Sequence, residues 1–134
     1  MAERTVNYIE PEVLAARLLG EVASERELVV VDVRDDDFDE RVIRGALHVP
    51  SAEFPERVDE VLSAHSHGKD VVFHCSLSQM RGPSCARFFA SEMKDDATSH
   101  VYVLRNGFRH WSTRYGGNPR LTEPRSAPDS PARK

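Results

Sequence analysis

The 134-residue chain lacks the features of a membrane or secreted protein. No apolar run approaches the roughly 18 residues that a membrane-spanning helix needs. The first residues are not followed by an apolar stretch like that of a secretory signal. The two cysteines, Cys75 and Cys85, are too few for a disulfide framework in a chain of this size. We therefore expect a reducing compartment, the cytoplasm or the nucleus, and no membrane attachment.

Positive charge is also scarce over most of the chain. Residues 1–113 carry 13 lysines and arginines against 20 aspartates and glutamates, whereas residues 114–134 carry five basic and two acidic side chains. Nucleic-acid binding depends on basic side chains that neutralise phosphates, so the acidic body argues against it. A hydrophobic content of 40% is ordinary for a soluble globular domain of this length.

Short apolar runs alternate with amphipathic segments along the chain. The apolar runs predict buried strands at residues 8–9, 28–33, 70–73 and 101–104. The segments that follow them predict helices at residues 11–19, 53–65, 83–93 and 108–115. This alternation predicts an α/β fold, with a parallel sheet that carries helices on both faces, over residues 1–115. Glycine and proline then replace apolar residues, and we expect a flexible, Pro-rich basic tail over residues 116–134.

The third predicted strand is followed by His74-Cys75 and, after five further residues, by Arg81-Gly82-Pro83. Proline suits the opening of a helix, because its missing N–H would be unpaired there anyway. Cys75 is thus expected at a strand end that faces a helix N-terminus, where loop N–H groups form a cradle for anions. This cradle and Arg81 favour the thiolate, the nucleophilic form of cysteine. The Arg81 guanidinium can also hold two oxygens of a tetrahedral oxyanion.

These positions predict a division of roles within the loop. Cys75 is the expected nucleophile and Arg81 the expected oxyanion clamp. His74 is expected to support the site by hydrogen bonding within the loop. Substrate binding is assigned, together with Arg81, to the backbone N–H groups of the residues between: Ser76, Leu77, Ser78, Gln79 and Met80. Cys85 falls on the apolar face of the next helix, which favours core packing over a role as a resolving thiol.

Three separated motifs resemble the rhodanese superfamily. They are Val31-Asp32-Val33-Arg34 with the later segment 45–50, the loop His74-Cys75-x5-Arg81, and the segment 101–108 with Trp111. The resemblance covers residues 6–115 and implies a rhodanese-like α/β fold. Sulfurtransferases of the superfamily typically place four residues between the cysteine and the basic residue. Cell-division-cycle phosphatases and the small eukaryotic arsenate reductases place five, as this chain does, so it is most similar to that single-domain branch.

The resemblance implies a thiolate-based enzyme acting on a small oxyanion or a phosphorylated substrate. It would be an arsenate reductase, a protein tyrosine or dual-specificity-type phosphatase, or both. No bound cofactor is implied, although a reductase would need an external thiol such as glutathione with glutaredoxin. The loop between Cys75 and Arg81 holds no carboxylate that could protonate a leaving group, which favours the reductase. A sulfurtransferase using a Cys75 persulfide and a non-catalytic interaction module remain as alternatives.

We expect structural roles for the charged side chains at and after the end of the second predicted strand. Asp32 and Arg34, at the end of a strand, are expected to form a structural ion pair or a hydrogen bond with the loop rather than to act in catalysis. The run Asp35-Asp36-Asp37 is more typical of a solvated loop than of a metal site. Some relatives bind zinc through cysteines near the C-terminus, and this chain has none after Cys85, so no metal is expected.

Overall fold

A computed structural model of the chain describes residues 5–38, 40–77 and 79–125. The elements in chain order are β1 (Val6–Ile9), α1 (Pro11–Leu18), β2 (Glu27–Asp32), β3 (Arg41–Ile43), β4 (Leu47–His48), α2 (Phe54–His65), β5 (Lys69–His74), α3 (Arg81–Glu92), β6 (His100–Leu104), α4 (Gly107–Tyr115) and β7 (Thr122–Pro124). None of the helices in these ranges is both long and apolar enough to cross a membrane.

Five strands form a parallel sheet in the order β1-β6-β5-β2-β4. Parallel neighbours need crossover connections, and the helices that supply them cover both faces of the sheet. Val71 and Phe73 of β5 pack with α2 and α3, whereas Val72 packs with α1 and α4 on the opposite face. The predicted α/β fold, a parallel sheet between two helical layers, is therefore confirmed.

The segment that the sequence predicted as a tail contributes one strand to a second, two-stranded sheet. Strand β7 pairs antiparallel with β3, and Leu121 and Thr122 are almost fully buried. The indole N–H of Trp111, itself in the core, donates to the Thr122 hydroxyl over 2.9 Å. The predicted boundary after residue 115 is thus wrong for residues 116–125, because burial of two side chains and strand pairing outweigh the Gly- and Pro-rich composition. Residues 126–134 of the predicted tail lie outside the described residues.

The register of the central strands decides which loops meet. Asp32, the last residue of β2, lies opposite His74, the last residue of β5. The Val33 N–H extends this pairing by donating to the His74 carbonyl over 2.8 Å. Since adjacent parallel strands end at the same edge of the sheet, the loop after β2 lies beside the loop after β5.

Candidate active site

Cys75 follows the central strand β5 directly and is almost fully buried. Helix α3 begins at Arg81, two residues earlier than predicted, so Gly82 belongs to its first turn. The Gly82 N–H donates to the Cys75 Sγ over 3.2 Å. The first amides of a helix have no partner within the helix and carry its positive dipole end, so they stabilise negative charge. The sulfur therefore lies where a helix N-terminus favours an anion.

The carbonyls of the loop are held by another helix N-terminus. The Phe108 N–H donates to the Cys75 carbonyl and the Arg109 N–H to the Ser76 carbonyl, each over 2.9 Å. Gly107, the first residue of α4, has a left-handed φ of 68° and lies against these two carbonyls. Because amides of α4 bind the carbonyls at the start of the loop, they fix the position of the backbone that carries the sulfur.

Arg81 closes the loop beside Cys75 but does not lie free in solvent. Its Nη1 donates to Asp37 Oδ1 over 2.8 Å and to Asp35 Oδ2 over 3.2 Å, and its Nη2 donates to Asp37 Oδ2 over 2.6 Å. The hydrogen bond from Arg81, joined by one from the Ser76 hydroxyl, holds the pKa of Asp37 far below its usual range. Asp37 is therefore ionised at neutral pH and is not a proton donor in this state.

The predicted loop residues occupy different environments. Leu77 and Gln79 are exposed, and Met80 is 77% exposed, so the rim of the site presents apolar side chains to solvent. Ser78 lies outside the described residues. A hydrogen bond to the sulfur comes from the Gly82 amide, which the prediction did not include. Binding of substrate by the amides of residues 76–80 stays a prediction.

His74 is fully buried behind the loop. Its Nδ1 lies 3.3 Å from the Cys75 carbonyl, its Nε2 is 3.8 Å from Asp32 Oδ2, and its ring stacks on Phe108. Burial lowers the pKa of His74 below its ordinary value, and the nearby Asp32 carboxylate offsets part of that effect. His74 is therefore neutral at neutral pH, and its supporting role in the site stays a prediction.

An ion pair lies beneath His74. Arg34 Nη2 donates to Asp32 Oδ2 over 2.7 Å, and both side chains are buried. The Arg34 guanidinium also lies over the Phe108 ring, 4.1 Å from its centroid. The predicted structural pairing of Asp32 with Arg34 is confirmed. Separating a buried charge from its partner is strongly destabilising, so the pair holds the end of β2 in place.

The burial of neutral His74 predicts a loss of stability in mild acid. Its folded-state pKa is below the unfolded value of about 6.5, so the unfolded chain binds the proton first as pH falls. We expect the free energy of unfolding in urea to fall below about pH 6.5, with His74 contributing at most about 1.4 kcal/mol per pH unit. His74→Asn should flatten this slope, whereas exposed His67→Asn should not. Equal slopes for both variants would contradict the assignment.

Cys85 is buried in the core on α3. Burial, reinforced by the negative charge of the Asp35 carboxylate, raises the pKa of the Cys85 thiol to about 12. A thiol that stays protonated is a poor nucleophile, so core packing fits this cysteine better than a resolving role.

Cys85→Ala is accordingly expected to change turnover by less than about twofold while lowering stability by about 1 kcal/mol. Steady-state kinetics and urea unfolding measure the two effects. A Cys75–Cys85 disulfide, formed under mild peroxide and absent from the variant, would contradict this expectation.

Two aspartates were missed as site residues. Asp35 and Asp37 were interpreted as part of a solvated loop, yet both bond to Arg81. The signal in the sequence was their position, three and five residues after the end of β2, which is useful only once β2 and β5 are known to be neighbours. Within the described ranges, no three His, Cys, Asp or Glu side chains are grouped to hold a metal ion.

A thiol at the carboxyl end of a central parallel strand, facing a helix N-terminus and followed by a loop that an arginine closes, defines a cysteine-based oxyanion site on an α/β sheet. The family model for the rhodanese-like domain matches residues 14–114. The chain belongs to the rhodanese-like domain family.

Similar proteins indicate which branch of the family the chain belongs to. "Arsenate reductase 2.1" of rice is 38% identical over 81% of this chain and 68% of its own length. The fission yeast dual specificity phosphatase ibp1 is 30% identical over 89% of this chain and 97% of its own length. The structure of Ygr203w, described as a yeast protein tyrosine phosphatase of the rhodanese family, superposes with a TM-score of 0.78 at 26% identity, covering 91% of this chain and 94% of that one. The predicted relationship to the reductase and phosphatase branch is confirmed.

Proposed function

We propose that this protein is a thiolate-based oxyanion enzyme, an arsenate reductase that also has phosphatase activity. The observation that carries the proposal is the placement of Cys75 Sγ on the Gly82 amide at the start of α3, with Arg81 in the same turn. A helix N-terminus and a guanidinium together stabilise the charge on a tetrahedral anion and on the transition state that follows attack. The names of the relatives support the same two chemistries.

In the reductase reaction, arsenate condenses with the Cys75 thiol, forming an S–As bond with loss of water. An external thiol then attacks the sulfur of Cys75, and the electron pair of the S–As bond passes to arsenic. Arsenite leaves, and a mixed disulfide remains on Cys75. A second thiol reduces this disulfide and restores Cys75. We propose glutathione, with glutaredoxin for the last step, as the source of these thiols.

In the phosphatase reaction, the Cys75 sulfur attacks phosphorus and the bond to the leaving oxygen breaks. Water then hydrolyses the phosphocysteine and releases phosphate. A leaving group that is poor needs an acid to protonate it. The loop has no carboxylate, and Asp37, the carboxylate that the neighbouring loop brings to Arg81, is held ionised. We therefore expect efficient hydrolysis only of esters with good leaving groups, such as aryl phosphates.

Three assays on one preparation test the proposal. They measure glutathione- and glutaredoxin-coupled arsenate reduction, p-nitrophenyl phosphate hydrolysis, and sulfur transfer from thiosulfate to cyanide, each with Cys75→Ser as the blank. Arsenate reduction, with weaker phosphatase activity, is the expected result. Sulfur transfer alone would replace the proposal with a Cys75 persulfide enzyme. No activity in any assay would favour a non-catalytic interaction module.

The location in the cell follows from the same chemistry. Neither Cys75 nor Cys85 forms a disulfide. A nucleophilic cysteine that must be regenerated by thiols works in a reducing compartment. We propose the cytoplasm or the nucleus.

A further inference from the structure

The Arg81 guanidinium is bound through its two terminal nitrogens. Asp37 accepts from Nη1 and from Nη2, and Asp35 accepts from Nη1. A guanidinium has five N–H donors, two on each Nη and one on Nε. Three of the five are used, so both Nη1 hydrogens and one Nη2 hydrogen are committed.

The two remaining donors are neighbours. Nε–H and the second Nη2–H lie on the side edge of the guanidinium and point in nearly the same direction, which is the arrangement that binds two oxygens of one anion. No residue in 5–38, 40–77 or 79–125 accepts a hydrogen bond from either of them. An oxyanion can therefore bind Arg81 without displacing an aspartate.

Asp37 connects the two ends of the active-site loop. Its Oδ2 accepts from the hydroxyl of Ser76, directly after Cys75, and from Nη2 of Arg81, at the end of the loop. Asp35 is anchored in turn, because it accepts from the Ser51 hydroxyl and, over 3.0 Å, from the Ala52 N–H. The guanidinium is thus tied to the scaffold ahead of α2 rather than only to its own flexible side chain.

We propose that Asp37, supported by Asp35, is a positioning residue for Arg81 that turns the free Nε–Nη2 edge toward the oxyanion above Cys75. This inference rests on the proposed function, since it takes a tetrahedral oxyanion as the ligand. It assigns a role to a carboxylate outside the loop that carries the nucleophile.

The direction in which anion affinity changes when Asp37 is neutralised distinguishes a positioning role from a purely electrostatic one. Asp37 brings a negative charge close to the anion site, so a purely electrostatic role predicts tighter anion binding when that charge is removed. A positioning role predicts weaker binding, because Arg81 loses its fixed orientation. Asp36 provides the matched control: it lies between the two aspartates, is exposed, and carries the same charge.

Binding of tungstate, a tetrahedral dianion, is measured on the full chain by titration calorimetry. Asp37→Asn is expected to weaken binding by about tenfold or more. Asp36→Asn should leave it unchanged or slightly tighter, and Asp37→Glu should recover part of the loss. Binding to Asp37→Asn as tight as to Asp36→Asn would overturn the inference. Urea unfolding of each variant confirms that the chain is folded.

A double-mutant cycle with Arg81→Lys tests whether Asp37 acts through the guanidinium. Lysine has no planar fork to orient. Asp37→Asn alone is expected to lower kcat/KM for p-nitrophenyl phosphate by about tenfold to a hundredfold, and by less than about threefold when Arg81 is already lysine. Additive losses in the cycle would show that Asp37 acts on the fold in general, and would overturn the inference.

The failure of the inference is distinguishable from that of the proposed function. If the wild-type chain binds tungstate but the cycle is additive, the oxyanion enzyme stands and the role of Asp37 falls. If the wild-type chain binds no tungstate, both fall together.

Discussion

Cys75→Ser is expected to reduce arsenate reduction and aryl phosphate hydrolysis by at least about four orders of magnitude. Serine has nearly the same shape but stays protonated at neutral pH, so the Gly82 amide at 3.2 Å has no anion to stabilise and no nucleophile forms. Removing a nucleophile leaves only the rate supplied by binding and positioning. Steady-state rates in both assays measure the effect.

The same variant is expected to retain its fold and its anion site. Arg81 and the start of α3 are unchanged, so tungstate affinity should stay within a fewfold of the wild type, and stability within about 1 kcal/mol. Cys85→Ala is the matched cysteine control and should remain active. Turnover in Cys75→Ser within about a hundredfold of the wild type would exclude Cys75 as the nucleophile.

Gly107→Ala is expected to damage the site from outside the loop. A Cβ at this position would be 2.4 Å from the Ser76 carbonyl oxygen and 2.7 Å from that of Cys75. Both atoms are backbone and both are held by α4 amides, so the loop has to shift rather than rotate a side chain away. A displacement of about 1 Å in a catalytic group costs on the order of a hundredfold in rate, which is the expected loss in kcat/KM.

The left-handed φ of 68° adds a stability cost to Gly107→Ala. For an alanine this conformation costs roughly 1–2 kcal/mol by itself. Gly20→Ala separates the two effects, because Gly20 has a φ of 74° but its added Cβ would meet nothing within 4 Å. We expect Gly20→Ala to lose only the conformational energy in urea unfolding and to keep full activity. Equal activity of the two variants would show that the contact of Gly107 with the loop has no catalytic consequence.

Much of the fold could be predicted from local patterns in the sequence. The apolar runs at β2, β5 and β6 are buried on both faces of the sheet, and such runs carry their own signal because no polar face interrupts them. Strands β3, β4 and β7 were not predicted. They are two or three residues long, and their pairing depends on partners that are distant in the chain.

The C-terminal segment shows that composition alone does not predict which residues are ordered. Residues 116–125 look like a linker, yet Leu121 is buried and Thr122 accepts the Trp111 indole. A single apolar side chain among glycines and prolines gives no periodic pattern from which a strand could be predicted. Leu121 stabilises the fold only because other elements form the space in which it is buried.

The sequence by itself determined the chemistry: a cysteine after a buried strand, an arginine six positions later, and a Gly-Pro pair that opens a helix, because each of these relations is local along the chain. Only the tertiary structure decided what surrounds that chemistry. The sheet order puts β2 beside β5, which brings Asp35 and Asp37 to Arg81, and it places the N-terminus of α4 on the Cys75 and Ser76 carbonyls. These contacts join residues more than 30 positions apart, and the relative placement of such residues follows from strand pairing and packing rather than from any pattern within one segment.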